Sequence, residues 1–175
     1  MGLFRVTVSK DYLGFAAAHF LTFRGHACES LHGHNYRIGV MVEGPIDPEC
    51  HFVVDFGVIK RLVRQEVDRL DHRVILPAEN PKLAYRASDG MTYVSYLGEQ
   101  SYQFPTRDCV LLPLANTTAE LLARWMAGRL HAGLDAAGVS LKVLEVEVEE
   151  SPGQSAVYAE HEQPSAARED HDANP

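Results

Sequence analysis

His32-Gly33-His34 offers two imidazoles at a spacing that suits a metal ion. Side chains alternate between the faces of a β-strand, so both rings fall on one side and Gly33 leaves the other uncrowded. A third imidazole, His19, lies in the apolar run Phe15-Ala16-Ala17-Ala18-His19-Phe20. Three histidines are a set that holds zinc while a fourth position stays open to water or substrate. Cys28 precedes His32 closely enough to stand beside that centre as a thiol, or to close the tetrahedron as a fourth, structural ligand. Spacing admits both arrangements.

The flanking sequence supplies elements to carry these groups. Residues 3–20 are rich in strand-forming types, and in 34–43 the residues Tyr36, Ile38 and Val40 share the parity of His34, which predicts two antiparallel strands. Residues 44–49 read as a loop, and Phe52 to Val54 as a short strand leading into Asp55. Asp55 is a good helix cap, and Val58, Ile59, Leu62, Val63, Val67 and Leu70 follow at helical spacing. That helix ends near Asp71-His72, a dipeptide suited to a helix C-terminus. A second helix is expected from Thr117 or Thr118, with Glu120 closing a capping box, Leu121, Leu122, Trp125, Met126, Leu130 and Leu134 as its apolar stripe, and Gly138 at its end. In the last strand Leu144, Val146 and Val148 share one face and Glu145, Glu147 and Glu149 the other. Glu150 continues the apolar row, so its carboxylate either emerges into solvent or points into a pocket against a strong donor.

The 175 residues suit one domain able to bury a core unaided. Three cysteines in no pattern argue for reduced thiols, and the start of the chain has no secretion signal or membrane-length apolar run, so a cytoplasmic location is expected. The net charge of -8, without clustered Lys or Arg, argues against nucleic acid as a partner. Half of that charge falls in 159–175, where five acids face one Arg and large apolar residues are scarce; this reads as a disordered tail after a domain spanning 1–158.

His19, the run from Cys28 to His34, and Asp71-His72 together resemble the 6-pyruvoyltetrahydropterin synthase and 6-carboxytetrahydropterin synthase family, over residues 3–77 and 114–158. The stretch 78–113 is then an insert relative to small members; it holds four of the seven tyrosines, and 91–100 looks like a hairpin arm and turn. The resemblance implies an α+β tunnelling fold, with an antiparallel sheet of about four strands and two long helices on one face. It implies Zn2+ on His19, His32 and His34, a catalytic group of Cys28, Asp71 and His72, and a homo-oligomer with sites between subunits. Glu150 would grip the pterin ring, and Thr117 and Thr118 would contact it while also serving as caps. The implied substrate is 7,8-dihydroneopterin triphosphate, a small molecule. The spacing from Cys28 to His32 resembles that of the 6-carboxytetrahydropterin synthases of queuosine biosynthesis. Glu29 resembles the glutamate of variants that form 6-hydroxymethyl-7,8-dihydropterin for folate, and is also read as an exposed loop residue. A non-catalytic zinc- or pterin-binding paralogue is the alternative of another class.

Overall fold

A computed structural model describes residues 2–25 and 27–161. Strands β1 (Phe4–His19) and β2 (His32–Gly44) pair antiparallel along nearly their whole length and form the centre of the sheet. The pairing contains one irregularity, and the site depends on it. Ser9 pairs with Gly39 and Gly14 with Arg37, five steps on β1 against two on β2. Three extra residues are an odd number, so the inward parity of β1 switches: Val8 points to the core before the bulge, and Leu13, Phe15, Ala17 and His19 after it. Gly14 is required there, because a Cβ on it would sit 2.4 Å from the Tyr36 carbonyl oxygen.

Helix α1 (Phe56–Leu70) begins where Asp55 accepts a 2.6 Å bond from Gly57 N. Its buried Ile59, Val63, Val67 and Leu70 pack in the same cluster as Leu122, Met126, Leu130 and Leu134 of α2 (Ala119–Ala136) and the inward rows of β1, β2 and β8 (Val143–Ser151). Both helices therefore cover one sheet face, and each such apolar side chain contributes about 1.5–3 kcal/mol relative to exposure. Thr118 caps α2, its hydroxyl accepting from Leu121 N. Glu120 thus stands at the second helical position, one short of where it would close the expected capping box. The helix ends as expected at Gly138 (φ 74°), with Gly138 N bonded to Asp135 O and Val139 N to Leu134 O, a Schellman closure. A buried carboxylate, Glu66, links the helices by accepting from Arg69 on α1 and Arg129 on α2.

The sheet is larger than the four strands expected. Strands β3 (Arg73–Pro77) and β7 (Cys109–Leu112) join beside β1, both in parallel pairings, and β9 (Gln154–His161) pairs antiparallel with β8, giving the order β7-β3-β1-β2-β8-β9. Each of the added strands beside β1 is five residues or fewer, too short to show a period in the sequence. Phe52 to Val54 are bends rather than a strand. The stretch 78–113 builds a second, three-stranded sheet from β4 (Leu83–Ser88), β5 (Met91–Tyr96) and β6 (Glu99–Pro105), with β5 and β6 as the expected hairpin across Leu97-Gly98. Strand β9 runs to His161, past the domain end expected at 158, because Glu160 and His161 still pair with Leu144 and Val143 of β8. Residues 162–175 of the expected tail lie outside the described residues. No described helix is long and apolar enough to cross a membrane.

Candidate metal centre and active site

With the parity of β1 switched, His19 pairs directly with His32 and Ala17 with His34. The three imidazoles converge, with ring centroids 4.7–5.2 Å apart and one ligand nitrogen from each within 4.8 Å of the others. Among the described residues this is the one group of His, Cys, Asp or Glu that could hold a metal ion, and the Cys28 sulfur is not part of it. His19 is fully buried, and its Nδ1 lies 2.9 Å from the Thr117 carbonyl oxygen. A carbonyl only accepts, so the proton sits on Nδ1 and Nε2 presents its lone pair to the cluster. Burial lowers the affinity of this ring for a second proton, opposed by the Thr117 carbonyl and Glu150, so it remains a neutral ligand. His32 repeats the device, its Nδ1 2.9 Å from Ser30 O. The set fits a metal with a taste for imidazole.

Glu150 points into this site. Its Oε1 lies 3.4 Å from His19 Nε2 and 3.8 Å from His34 Nε2, and accepts a 3.2 Å hydrogen bond from the Tyr36 hydroxyl. Burial and Glu150 both raise the Tyr36 phenol far above its ordinary value, so it stays a donor. Tyr36 had no role assigned from sequence beyond its strand parity, which was itself the available signal, since it continues the His32, His34 row.

The threonines diverge. Thr117 is fully buried, its hydroxyl donating to Phe20 O and its carbonyl orienting His19. Thr118 is half-buried at the helix cap. Cys28 sits on the 20–31 loop, half-buried, its sulfur 3.6 Å from Glu29 O. Burial, and then the Glu29 carboxylate, push its thiol above the ordinary range. Glu29 is half-buried rather than exposed: its Oε2 is buried without a hydrogen-bond partner and lies 3.8 Å from His32 Nδ1.

Asp71 and His72 form a pair of their own, 2.9 Å apart, at the turn between α1 and β3. His72 has φ 57°, and its backbone N–H bonds Ala16 O while Asp71 Oδ1 accepts from Ala16 N. The His72 side chain is 83% exposed and lines a shallow cavity with Ala16, Ala17, Ala18, Gly33, His34 and Asn35. No described hydrogen bond or ion pair joins this pair to Cys28. The Ala16 N–H first, and His72 next among the charges and donors, hold the Asp71 carboxyl below its ordinary 3.8. Its ionised form therefore stabilises the fold above that pH, and the contribution is lost as pH falls through the lower folded-state value. Asp71→Asn should unfold at lower urea than the parent near neutrality and converge with it in strong acid; a gap that persists in acid would contradict a charge origin.

The second sheet braces the loop. Tyr102 of β6 stacks on Phe20, ring centroids 5.2 Å apart, and its hydroxyl accepts a 3.2 Å bond from Leu31 N. It thus touches the residue after His19 and the residue before His32. Asn80 and Asn116 both bond Thr22 on the same loop. Tyr102→Phe keeps the stack but strands the Leu31 N–H, with an expected loss of about 1 kcal/mol in urea unfolding. An unshifted midpoint would mean that water replaces the bond.

A sequence model of the family described as 6-pyruvoyl tetrahydropterin synthase matches residues 7–161. The 6-carboxy-5,6,7,8-tetrahydropterin synthase of Haemophilus influenzae is 30% identical over 127 residues, 70% of this chain and 80% of that protein. A Methanocaldococcus jannaschii protein provisionally named for the same activity is 35% identical over 150 residues, 85% and 91% of the two chains. The crystal structure of Plasmodium vivax 6-pyruvoyl tetrahydropterin synthase superposes with a TM-score of 0.85 at 30% identity, covering 92% of this chain and 99% of that one. A related structure is a catalytic-residue mutant of that protein, in which a glutamate is replaced by alanine. With the match running from residue 7 to 161, through all six strands of the main sheet and across all three converging histidines, the chain belongs to the 6-pyruvoyl tetrahydropterin synthase family.

Proposed function

We propose that this chain is a zinc-dependent lyase acting on 7,8-dihydroneopterin triphosphate and forming 6-carboxy-5,6,7,8-tetrahydropterin. The convergence of His19, His32 and His34 with two Nδ1 atoms held by backbone carbonyls carries this reading. Three neutral imidazoles suit Zn2+ with a position left open, and such an ion would supply Lewis-acid stabilisation of charge on the substrate's side-chain oxygens. Glu150, with one oxygen near the histidines and a bond from Tyr36, would hold the guanidine-like edge of the pterin through paired hydrogen bonds. Thr118 stands at the half-buried cap where a further contact is available, whereas the Thr117 hydroxyl is engaged and acts through His19. Cys28 would take a proton from a side-chain carbon; the C–H electron pair would form the new double bond as triphosphate departs.

Within one chain, burial and Glu29 both oppose the Cys28 thiolate. The reading therefore requires positive charge from the bound ion and from His72 of a second copy, oriented by Asp71. Among the described residues both sheet edges, β7 and β9, are unpaired and carry the exposed apolar residues Leu111 and Val157, which supports assembly of a homo-oligomer with sites between subunits. A cytoplasmic location follows from the small-molecule substrate and the reduced thiol that the chemistry needs.

A second reading has one observation in its favour. The buried, unpartnered oxygen of Glu29 beside His32 suits a carboxylate base, and the Plasmodium vivax protein has a catalytic glutamate. That route would yield 6-hydroxymethyl-7,8-dihydropterin. Incubating the zinc-loaded protein with 7,8-dihydroneopterin triphosphate separates the cases: acetaldehyde and 6-carboxytetrahydropterin are expected. The hydroxymethyl product instead assigns the chemistry to Glu29, a pyruvoyl product assigns the sister activity, and no consumption overturns both readings in favour of a binding paralogue.

A further inference from the structure

Glu150 stands where the strand ladders do not fix it. The pairing of β2 with β8 ends at Arg37 and Glu149, and the pairing of β8 with β9 shifts register between Glu149 and Ser151, so Glu150 falls out of both. A residue at such a bulge is freed from the regular pleat, and its side chain can be re-aimed. What meets its carboxylate is the Tyr36 hydroxyl, 3.2 Å from Oε1. Tyr36 is a firm anchor: it is 2% exposed, pairs across strands with Phe15, and stacks on that ring with centroids 4.8 Å apart and planes inclined by 19°.

The same hydroxyl lies 3.3 Å from Nδ1 and 3.2 Å from Nε2 of His19. Two near-equal distances put the oxygen over the face of the imidazole, because a point in the ring plane that far from both nitrogens would collide with the carbon between them. The hydroxyl is therefore off both in-plane nitrogen directions, and the Nδ1 hydrogen is already given to Thr117 O. Glu150 is left as the acceptor for the Tyr36 hydrogen. A carboxylate that grips a guanidine-like edge must present both oxygens in the plane of that edge. A bond held at Oε1 sets the rotation of the carboxylate and leaves Oε2 and a second lone pair on Oε1 for a ligand. We propose that Tyr36 is a positioning residue for Glu150, and that through it Tyr36 sets the selectivity of the site for a ring whose edge carries an N–H beside an amino group. The inference rests on the reading of Glu150 as the contact to the pterin ring.

The test compares pterin with lumazine, the same bicycle with the 2-amino group replaced by oxygen, by equilibrium dialysis against the zinc-loaded full chain with fluorescence as the readout. The parent should prefer pterin by about a hundredfold, since lumazine turns a carbonyl oxygen toward the carboxylate. Tyr36→Phe keeps the stack on Phe15 and releases the carboxylate; it should weaken pterin binding about tenfold, leave lumazine nearly unchanged, and so cut the preference by the same factor. Zinc content should stay parental, and in a Glu150→Gln background Tyr36→Phe should have no further effect on the preference. An equal loss for both rings would assign Tyr36 to packing alone, and loss of zinc in Tyr36→Phe would show that the hydroxyl acts on His19; either result overturns the proposal. A parent that prefers pterin beside a Tyr36→Phe variant with the same preference overturns this inference only. A parent that binds neither ring overturns it together with the reading of Glu150 as the ring contact.

Discussion

His19→Ala is expected to weaken zinc binding by more than about a hundredfold, the range that loss of even an outer-shell partner reaches. The reasoning starts from its burial: a fully enclosed ring, kept neutral and oriented by the Thr117 carbonyl, is already arranged to donate one lone pair. Its loss leaves two imidazoles, and the nearby Glu150 carboxylate is engaged by the Tyr36 hydroxyl rather than placed as a ready third ligand. Because the substitution also empties a buried volume, His34→Ala, on the half-buried rim, is the companion variant. Zinc content after dialysis against a competing chelator reads both. Parental retention of metal in the two variants would show that the ion, if any, is held elsewhere.

Cys28→Ala should cut turnover of 7,8-dihydroneopterin triphosphate by about 10²–10⁴-fold, the usual contribution of a positioned base, while leaving zinc in place. The sulfur lies outside the converging histidine group, so its removal takes away no ligand. Stopped assays for product and metal analysis on the same sample decide the matter. Loss of zinc together with activity would make the sulfur a ligand and the centre structural. Residual formation of 6-hydroxymethyl-7,8-dihydropterin in this variant would identify Glu29 as a second, independent base.

Much of this site was legible before any coordinates. The alternation of His32 with His34, the helical spacing after Asp55 and the row ending in Glu150 are local periodicities, set by the two- and 3.6-residue repeats of strand and helix. The caps at Asp55 and Thr118 and the closure at Gly138 are equally local, each a side chain or backbone bond within a few residues. Short parallel strands such as β3 and β7 have no such signature, since their partners lie elsewhere in the chain. Glu66 escaped notice for the same reason: an acid on a helix reads as exposed until Arg129 of the other helix is placed against it.

From the amino-acid sequence alone came the ligand types, their parity along each strand and the extents of both helices, because these depend on neighbours within a few residues. Only the tertiary structure decided that a three-residue bulge turns His19 toward His32, that Glu150 faces the histidines rather than solvent, and that Tyr102 of the second sheet braces the thiol loop. Each of those outcomes is a pairing between segments distant in sequence. Register and packing set such pairings jointly, and no single stretch of residues carries them.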